Sequence, residues 1–352
     1  MKKFNLIVLL FSVFITVPGF SQPNKKNEYK VACVGFYNLE NLFDTVDDTT
    51  INDSEFLPTG TKLYTEEVYK DKLKNLSTVI SQLGKEETPD GVAILGVAEI
   101  ENKKVLEDLV AQPLLKDRNY KIVHYNSPDI RGIDVGLLYN PVYFKVVESG
   151  SLNVPLRNSD GTPYATRDIL WVYGLFNGEP LHVFVNHWPS RRGGEEASAP
   201  GRALAAGVAK AKIDSINKAY PNARIMLMGD LNDDPLSPSI TNVLNATNDL
   251  EKVKKGQLYN PWTDYYKKGI GTLAYNDAWN LFDQVIISNA FMNKDQNGFF
   301  FQKAVIYNKP YLLQKTGRYK GYPFRTYDFD NYMSGYSDHF PVYVVLLKKI
   351  NK

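Results

Sequence analysis

Cysteine is almost absent from this sequence. Cys33 stands alone among 352 residues, which excludes an intramolecular disulfide framework and any zinc site built on clustered cysteines. Charge of one sign is also missing: 41 Lys and Arg face 39 Asp and Glu, a formal charge of +2. Proteins that live on non-specific phosphate contacts carry a clear basic excess. Any attraction to a polyanion must therefore come from local patches or from a bound metal. Repeats and low-complexity linkers are absent too. Hydrophobic residues at 43% and charged residues at 23% describe a globular chain with material for a large core, not a disordered, collagenous or coiled-coil one.

Long apolar runs are short of membrane length. Lys2 and Lys3 precede Leu6 to Val17, a run of about a dozen residues that Pro18 and Gly19 break; a membrane span needs roughly twenty. Gly19 and Ser21 then stand at the −3 and −1 positions of a cut before Gln22. The pattern predicts a secretory signal over residues 1–21 and one domain over 22–352, with an N-terminal membrane anchor as the alternative. No cysteine follows the cut, which argues against a lipid anchor. Without Lys2 and Lys3 the chain has 39 cations and 39 anions. The expected product is neutral, monomeric, free of a stable membrane anchor, and secreted, periplasmic or at the cell surface.

What is present is a series of short β-branched and aromatic runs with a few amphipathic helices. Strands are expected at 30–37, 92–97, 134–139, 143–147, 169–176, 181–187, 224–228, 281–287 and 342–347. Helical spacing of Val68, Leu73, Leu76, Val79, Ile80 and Leu83 predicts a helix over 65–83, opened at Thr65 and closed at Gly84. Residues 102–111 and 202–220 read as further helices. Runs such as GVAILGVA and ARIMLMGD are apolar throughout, so their strands are covered on both faces by helices or by another sheet. Two Tyr-rich stretches, about 248–280 and 291–334, lack clear periodicity and read as insertions or functional rims.

Polar residues collect at the strand ends. They are Asn38-Leu39-Glu40-Asn41, Ala98-Glu99-Ile100-Glu101-Asn102, Asn186-His187-Trp188-Pro189-Ser190-Arg191-Arg192, Gly229-Asp230-Leu231-Asn232-Asp233-Asp234-Pro235 and Ser337-Asp338-His339-Phe340-Pro341. Singly, each is ordinary turn chemistry. Asp283 differs, because a carboxylate inside an apolar strand is costly without a partner, and a histidine is a good one. On parallel-running strand ends, such groups converge on one crevice. Carboxylate and amide oxygens suit a hard divalent cation, a histidine beside a carboxylate supplies an acid or base, and arginines suit phosphate. Together they serve hydrolysis of a phosphoester. His124 and His182 lie outside these motifs and read as structural.

The ordered set FYNLENL, GVAEIEN, RGIDVGLLYN, NHWPSR, GDLNDDP, FDQVIIS and SDHFPV resembles the endonuclease/exonuclease/phosphatase superfamily, within it the predicted extracellular bacterial nucleases. The resemblance spans Val34 to about Leu347. It implies an α/β fold, a four-layer sandwich of two packed, mostly antiparallel β-sheets flanked by helices. It also implies a metal-dependent phosphodiesterase using Mg²⁺ or Mn²⁺, with Ca²⁺ also admissible, and acting on nucleic acid. Glu99 becomes the principal metal ligand, with Asn38, Glu40 and Asp338 beside it. Asp230 orients or activates the attacking water, and Asn232 binds a phosphate oxygen or the nucleophile. His339, fixed by Asp283, stabilises the phosphate or acts as base. His187 protonates the leaving oxygen, and Arg131 and Arg191 contact phosphate. A phospholipid or sugar-phosphate hydrolase on the same fold is the alternative. A non-catalytic binding protein would need these groups to be lost, and they are present.

One feature belongs to this sequence rather than to the family. Tyr307 to Tyr327 holds Lys309, Lys315, Arg318, Lys320 and Arg325, five tyrosines and no acid. Interleaved cations and rings suit a phosphate backbone with stackable bases, so this loop is expected to flank the active site; a solvated loop is the alternative.

Overall fold

The computed structural model describes residues 28–158, 160–294 and 298–350; the expected signal segment, 1–21, lies outside the described residues. In chain order the strands are β1 (Tyr29–Leu42), β2 (Val92–Ile100), β3 (Lys121–His124), β4 (Asp134–Tyr139), β5 (Phe144–Leu152), β6 (Ile169–Phe176), β7 (Glu179–His187), β8 (Ile225–Asp230), β9 (Ala246–Thr247), β10 (Leu258–Tyr259), β11 (Leu273–Tyr275), β12 (Ala278–Asn280), β13 (Asp283–Ser288), β14 (Phe300–Ile306), β15 (Tyr327–Asp328), β16 (Asn331–Tyr332) and β17 (Val342–Lys349). The helices are α1 (Glu66–Gln82), α2 (Lys103–Val110), α3 (Glu195–Ala219) and α4 (Thr263–Lys267).

Two large sheets form, ordered β14-β17-β1-β2-β4-β3 and β5-β6-β7-β8-β13-β10-β9. Neighbours are antiparallel except β1–β2, β7–β8 and β9–β10. β1 and β2 lie across β7, β8 and β13, and the inner faces merge into one core with α1 and α2. α3 covers the outer face of the second sheet over Phe184, Ile225, Leu227 and Ile286. The architecture is thus the expected α/β sandwich of two mostly antiparallel sheets flanked by helices. Gly96 shows how closely the sheets approach: a Cβ there would lie 2.7 Å from Met228 Sδ.

Local sequence explains most boundaries. Thr65 caps α1, its Oγ1 accepting from Val68 N at 3.4 Å, and Gly84 ends it at φ +72°. α3 differs from expectation by starting at Glu195, with Pro200 inside its exposed opening turns. There the Arg202 guanidinium donates to Glu195 O at 2.9 Å and to Ser198 Oγ at 2.7 Å, holding a turn that the Pro-Gly pair would otherwise open. β14 is a strand within a stretch that showed no periodicity, because only Phe300, Ala304 and Ile306 of its residues are buried.

A pH-dependent contribution to stability sits away from the site. His182 stacks on Trp171 and Tyr173, with ring centroids 6.0 and 4.7 Å apart. Burial, aided by Lys212, lowers it to about 4. An unfolded histidine titrates near ~6.5, so between those values the unfolded chain binds the extra proton and stability falls as pH falls. His182→Gln keeps an acceptor for the Trp171 indole N–H and is expected to flatten that part of the curve. Urea midpoints near pH 7 and near pH 5 measure it; an unchanged pH dependence would reject the assignment.

Candidate active site

The site forms where β1, β2, β7 and β8 end and where β13 and β17 begin. Only the first four present C-terminal ends. β13 and β17 run antiparallel to β8 and β1, so their polar residues precede the strand rather than follow it. The parallel-ends expectation is corrected to that extent. In register, Asp283 pairs with Asp230, and His187 with Asp230 on the other side.

Two adjacent irregularities aim the first carboxylate. Pairing of β1 with β2 slips between Asn38 and Leu42, and that of β2 with β4 between Ala98 and Ile100. Glu40, Asn41 and Glu99 there take φ of +49°, +56° and +58°, a left-handed conformation that costs non-glycine residues roughly 1–3 kcal/mol each. Bulges of this kind re-aim a side chain: Glu99 swings into the crevice, Oε2 accepting from Asn41 N at 3.0 Å. The backbone N–H of Glu40 donates to Asn38 Oδ1 at 2.9 Å. That bond turns the Asn38 NH₂ toward Glu99 Oε1 at 3.0 Å and Asp230 Oδ2 at 3.1 Å. Asn38 therefore bridges two carboxylates, its oxygen being committed to Glu40 N.

The histidines occupy opposite electrostatic states. His339 Nδ1 lies 2.7 Å from Asp283 Oδ2, and Nε2 lies 3.8 Å from Asp230 and 3.9 Å from Asp338. Burial alone would lower it, but Asp283, then Asp230 and Asp338, raise it well above the ordinary value. It is an imidazolium at neutral pH. His187 Nε2 lies 3.9 Å from Glu99 and 3.8 Å from Asp230, yet burial, Arg167 and Arg131 hold it well below the ordinary value, so it is neutral. Asp230 itself is raised to about 7 by burial and the charge of Asp283 and Glu99, against the pull of His339. Burial and Asp338 raise Glu99 as well.

Sequence reading missed the supports beneath these groups. Arg167 is buried and donates to His187 O at 3.2 Å and Trp188 O at 2.6 Å, while pairing with Asp129 at 3.1 Å. Nothing in its local sequence marks it. Trp188 O also accepts from Asn232 Nδ2 at 3.0 Å, and Asn232 N donates to Asp230 Oδ1 at 3.0 Å. Ser337 Oγ donates to Asn38 O at 2.8 Å and accepts from His339 N at 3.1 Å; its place in the SDHFP turn was the available signal. Gly229 is required in GDLNDDP because a Cβ would lie 2.2 Å from Asn186 O.

Three expected site residues stand differently. Arg131 is half-exposed at the rim beside Asp129, at 3.0 Å. Arg191 is spent on the protein: it donates to Asn232 O at 2.9 Å and Asp234 at 3.0 Å, and lies over the Phe282 ring. Glu40 does not join the carboxylate cluster. Its oxygens take the backbone N–H groups of Thr326 at 2.6 Å and Tyr327 at 3.5 Å, and burial and Asp338 raise it to about 7. The buried Lys72 donates to Thr326 Oγ1 at 2.7 Å, so β1, α1 and the Tyr-rich loop are tied together. That loop reaches the site through Arg325, whose Nη2 donates to Asp338 Oδ2 at 2.9 Å. His124 pairs with Asp134 at 2.9 Å, away from the crevice.

The remaining acids of GDLNDDP are structural. Asp233 takes Ser239 Oγ at 2.6 Å and pairs with the fully buried Arg202 at 2.7 Å; Asp234 takes Leu281 N at 2.8 Å. Arg202→Met would leave the buried Asp233 with only the more distant Arg191, 3.4 Å away, at a cost of roughly 2–4 kcal/mol. Urea denaturation is expected to show that loss, and a change below about 1 kcal/mol would overturn the assignment.

The residues fit a divalent cation. Glu99, His187 and Asp230 bring one donor atom each within 4.8 Å of one another. The raised Glu99 and Asp230 are like charges crowded together, which a cation relieves. Asp230, Asp283 and His339 are equally close, but there His339 Nδ1 is already paired with Asp283 at 2.7 Å, which favours the first cluster. An oxygen-rich donor set suits a hard ion.

A two-sheet sandwich that delivers buried carboxylates, an imidazolium and a neutral imidazole to one rim supplies the groups that metal-dependent hydrolysis of a phosphoric ester calls for. The Endonuclease/Exonuclease/phosphatase family profile matches residues 33–348, and the chain belongs to that family. No curated protein sequence gives a significant match. Among solved structures, an endonuclease/exonuclease/phosphatase family protein from Bacteroides thetaiotaomicron is 16% identical, covering 92% of this chain and 100% of its own, at TM-score 0.54. A mannosyl-6-phosphatase from the same organism is 17% identical over 90% and 99%, at 0.51. D. rerio TDP2 complexed with single-stranded DNA product is 14% identical over 90% and 98%, at 0.51. At these identities the likeness is one of fold.

Proposed function

We propose that the protein is an exported, divalent-metal-dependent phosphodiester hydrolase, an endonuclease acting on DNA or RNA. The observation that carries this reading is the Asp283–His339 pair facing Asp230, with the neutral His187 across the same carboxylate. A phosphodiester repels hydroxide, so its hydrolysis needs charge stabilisation, an oriented water and a protonated leaving oxygen. Of the Glu99, His187 and Asp230 cluster, Glu99 would hold a divalent cation with Asp338 beside it, leaving Asp230 and His187 for proton transfer. Mg²⁺ or Mn²⁺ is preferred over Ca²⁺, and when bound it would supply positive charge against the phosphate. His339 serves as a fixed cation against the phosphate. Asp230, raised to about 7, is matched to accept the water proton as the oxygen attacks phosphorus. Asn232, bonded to Asp230 and Trp188, holds that carboxylate in place. The phosphate charge offsets Arg167 and Arg131 beside His187, raising its proton affinity so that it takes up a proton from solvent as substrate binds and passes it to the leaving oxygen as the P–O bond breaks. Arg131 meets the phosphate at the rim; Arg191 acts through the loop it braces.

Export is supported by the pattern of residues 1–21 and by the lone Cys33, fully buried, whose thiol burial pushes up to about 12. Such a thiol resists oxidation and exchange. No helix among the described residues is long and apolar enough to cross a membrane. The reading is tested by offering plasmid DNA, single-stranded RNA, sphingomyelin and sugar phosphates with Mg²⁺, Mn²⁺, Ca²⁺ or EDTA. Metal-dependent nicking of nucleic acid is expected. Turnover of sugar phosphates or lipid alone, or activity indifferent to EDTA, would overturn it.

A further inference from the structure

Next to Asp338 a cleft of about 400 Å³ opens between the β11–β12 hairpin and the Tyr-rich loop. Its mouth carries two exposed rings, each on a hairpin tip. Phe329, 78% exposed, sits at φ +53° between β15 and β16; Tyr275, 70% exposed, opens a turn whose Asn276 and Asp277 have φ of +48° and +62°. Both tips are braced. Lys62 Nζ donates to Phe329 O at 2.6 Å and pairs with Asp330 at 3.1 Å. Tyr322 OH donates to Asp277 Oδ1 at 2.6 Å. A bulky apolar residue held left-handed and exposed is costly and gains nothing from packing. Inside the cleft lie Arg318, Tyr319 and Tyr322, and its floor is Arg325 beside Asp338. A second hollow of about 280 Å³ on the other side of Phe329 shares Arg325 and Asp338 and reaches Glu40 and Lys62.

We propose that this cleft is a stacking subsite for an unpaired nucleobase adjacent to the scissile phosphate. The proposal rests on the nuclease reading and narrows it to single-stranded or locally opened substrate. The rings of Tyr275 and Phe329 offer faces that any base can stack on. Arg325 and Arg318 meet the flanking phosphates, and Asp277, Asp328 and Gln314 offer polar partners to a base edge. The volume accommodates one base with its sugar, not a duplex. A lipid surface fits less well, because Asp328 and Asp330 flank Phe329 at the tip and would meet an anionic headgroup layer.

The test compares a short single-stranded oligonucleotide with one of the same length lacking bases, in the wild type and in Tyr275→Ala/Phe329→Ala. Neither ring belongs to the catalytic machinery, so kcat on the abasic strand is expected to stay unchanged. Wild-type KM is expected to be about 5- to 100-fold lower for the base-bearing strand, the double variant to lose that difference, and Tyr275→Trp/Phe329→Trp to keep it. Equal KM values in the wild type, or discrimination surviving in the Ala variant, would reject the subsite while leaving the nuclease reading standing. No cleavage of either strand, with turnover of sugar phosphates, would reject both. Binding to phosphatidylcholine vesicles that the Ala variant loses, without base dependence, would reassign the tips to a lipid surface.

Discussion

Replacing His339 by Gln is expected to lower kcat on a phosphodiester on the order of 10³-fold, with KM little changed. The imidazolium faces Asp230 and Asp338 at 3.8 and 3.9 Å. Its charge comes from Asp283, a carboxylate with no solvent exposure, 2.7 Å from Nδ1. Glutamine offers an N–H to Asp283 but no charge, so it separates catalysis from folding. Alanine would leave that carboxylate buried and unpaired, costing roughly 3–5 kcal/mol of stability. Asp283→Asn is the complementary variant: it keeps the shape, withdraws the charge, and is expected to lose most of the same rate. Steady-state kinetics with melting curves on all three decide the matter. Full activity in His339→Gln, with the fold intact, would remove the residue from the mechanism.

Glu99→Gln is expected to weaken Mg²⁺ or Mn²⁺ binding by more than the ~10- to 100-fold that outer-shell partners cost, and activity at limiting metal with it. Glu99 is held at φ +58° by two neighbouring bulges, and its carboxylate is positioned by Asn38 and Asn41 rather than by a cation from the protein. Glutamine keeps the volume and removes the charge. The wild type carries a further signature. Asp230 is raised to about 7, so below that pH a proton occupies the cluster and a cation must displace it. Metal affinity is therefore expected to fall as pH falls through about 7, by up to ~10-fold per unit, with proton release on binding. Calorimetry in buffers of different ionisation enthalpy measures both quantities. Metal affinity independent of pH, or unaffected by Glu99→Gln, would place the ion elsewhere.

Much of the fold was legible because its strands are apolar throughout and its helices periodic: β4 and β6 begin and end where the sequence places them. β14 escaped because its buried residues, Phe300, Ala304 and Ile306, do not alternate regularly with exposed ones, and α3 begins ahead of its expected start because Arg202 holds the opening turn across Pro200 and Gly201. Every acid and histidine of the crevice sits in a short motif, so the candidates were visible. Most of their supports were not. Arg167 and Lys72 act on residues outside their own segments, and a buried cation leaves no local pattern; of the supports, Ser337 alone had a signal, its place in the SDHFP turn. The expectation that Glu40 and Arg191 face the site came from their motifs alone; both are instead consumed by nearby backbone and carboxylate partners.

By itself, the sequence determined which chemistry the protein carries: oxygen donors for a hard cation, two motif histidines and a balanced overall charge that leaves any positive field local. Only the tertiary structure decided how those groups are charged. The same residue type became a cation at His339 and a neutral imidazole at His187, because one was buried against a carboxylate and the other was buried beside two guanidinium groups. It also decided that the basic Tyr-rich loop reaches the site by one arginine, Arg325, and that the hairpin following it presents an exposed ring, Phe329, at a braced tip. Proton affinity and side-chain direction are set by neighbours brought together from positions such as Asn38 and Asp230, 192 residues apart, and no local run of sequence contains both.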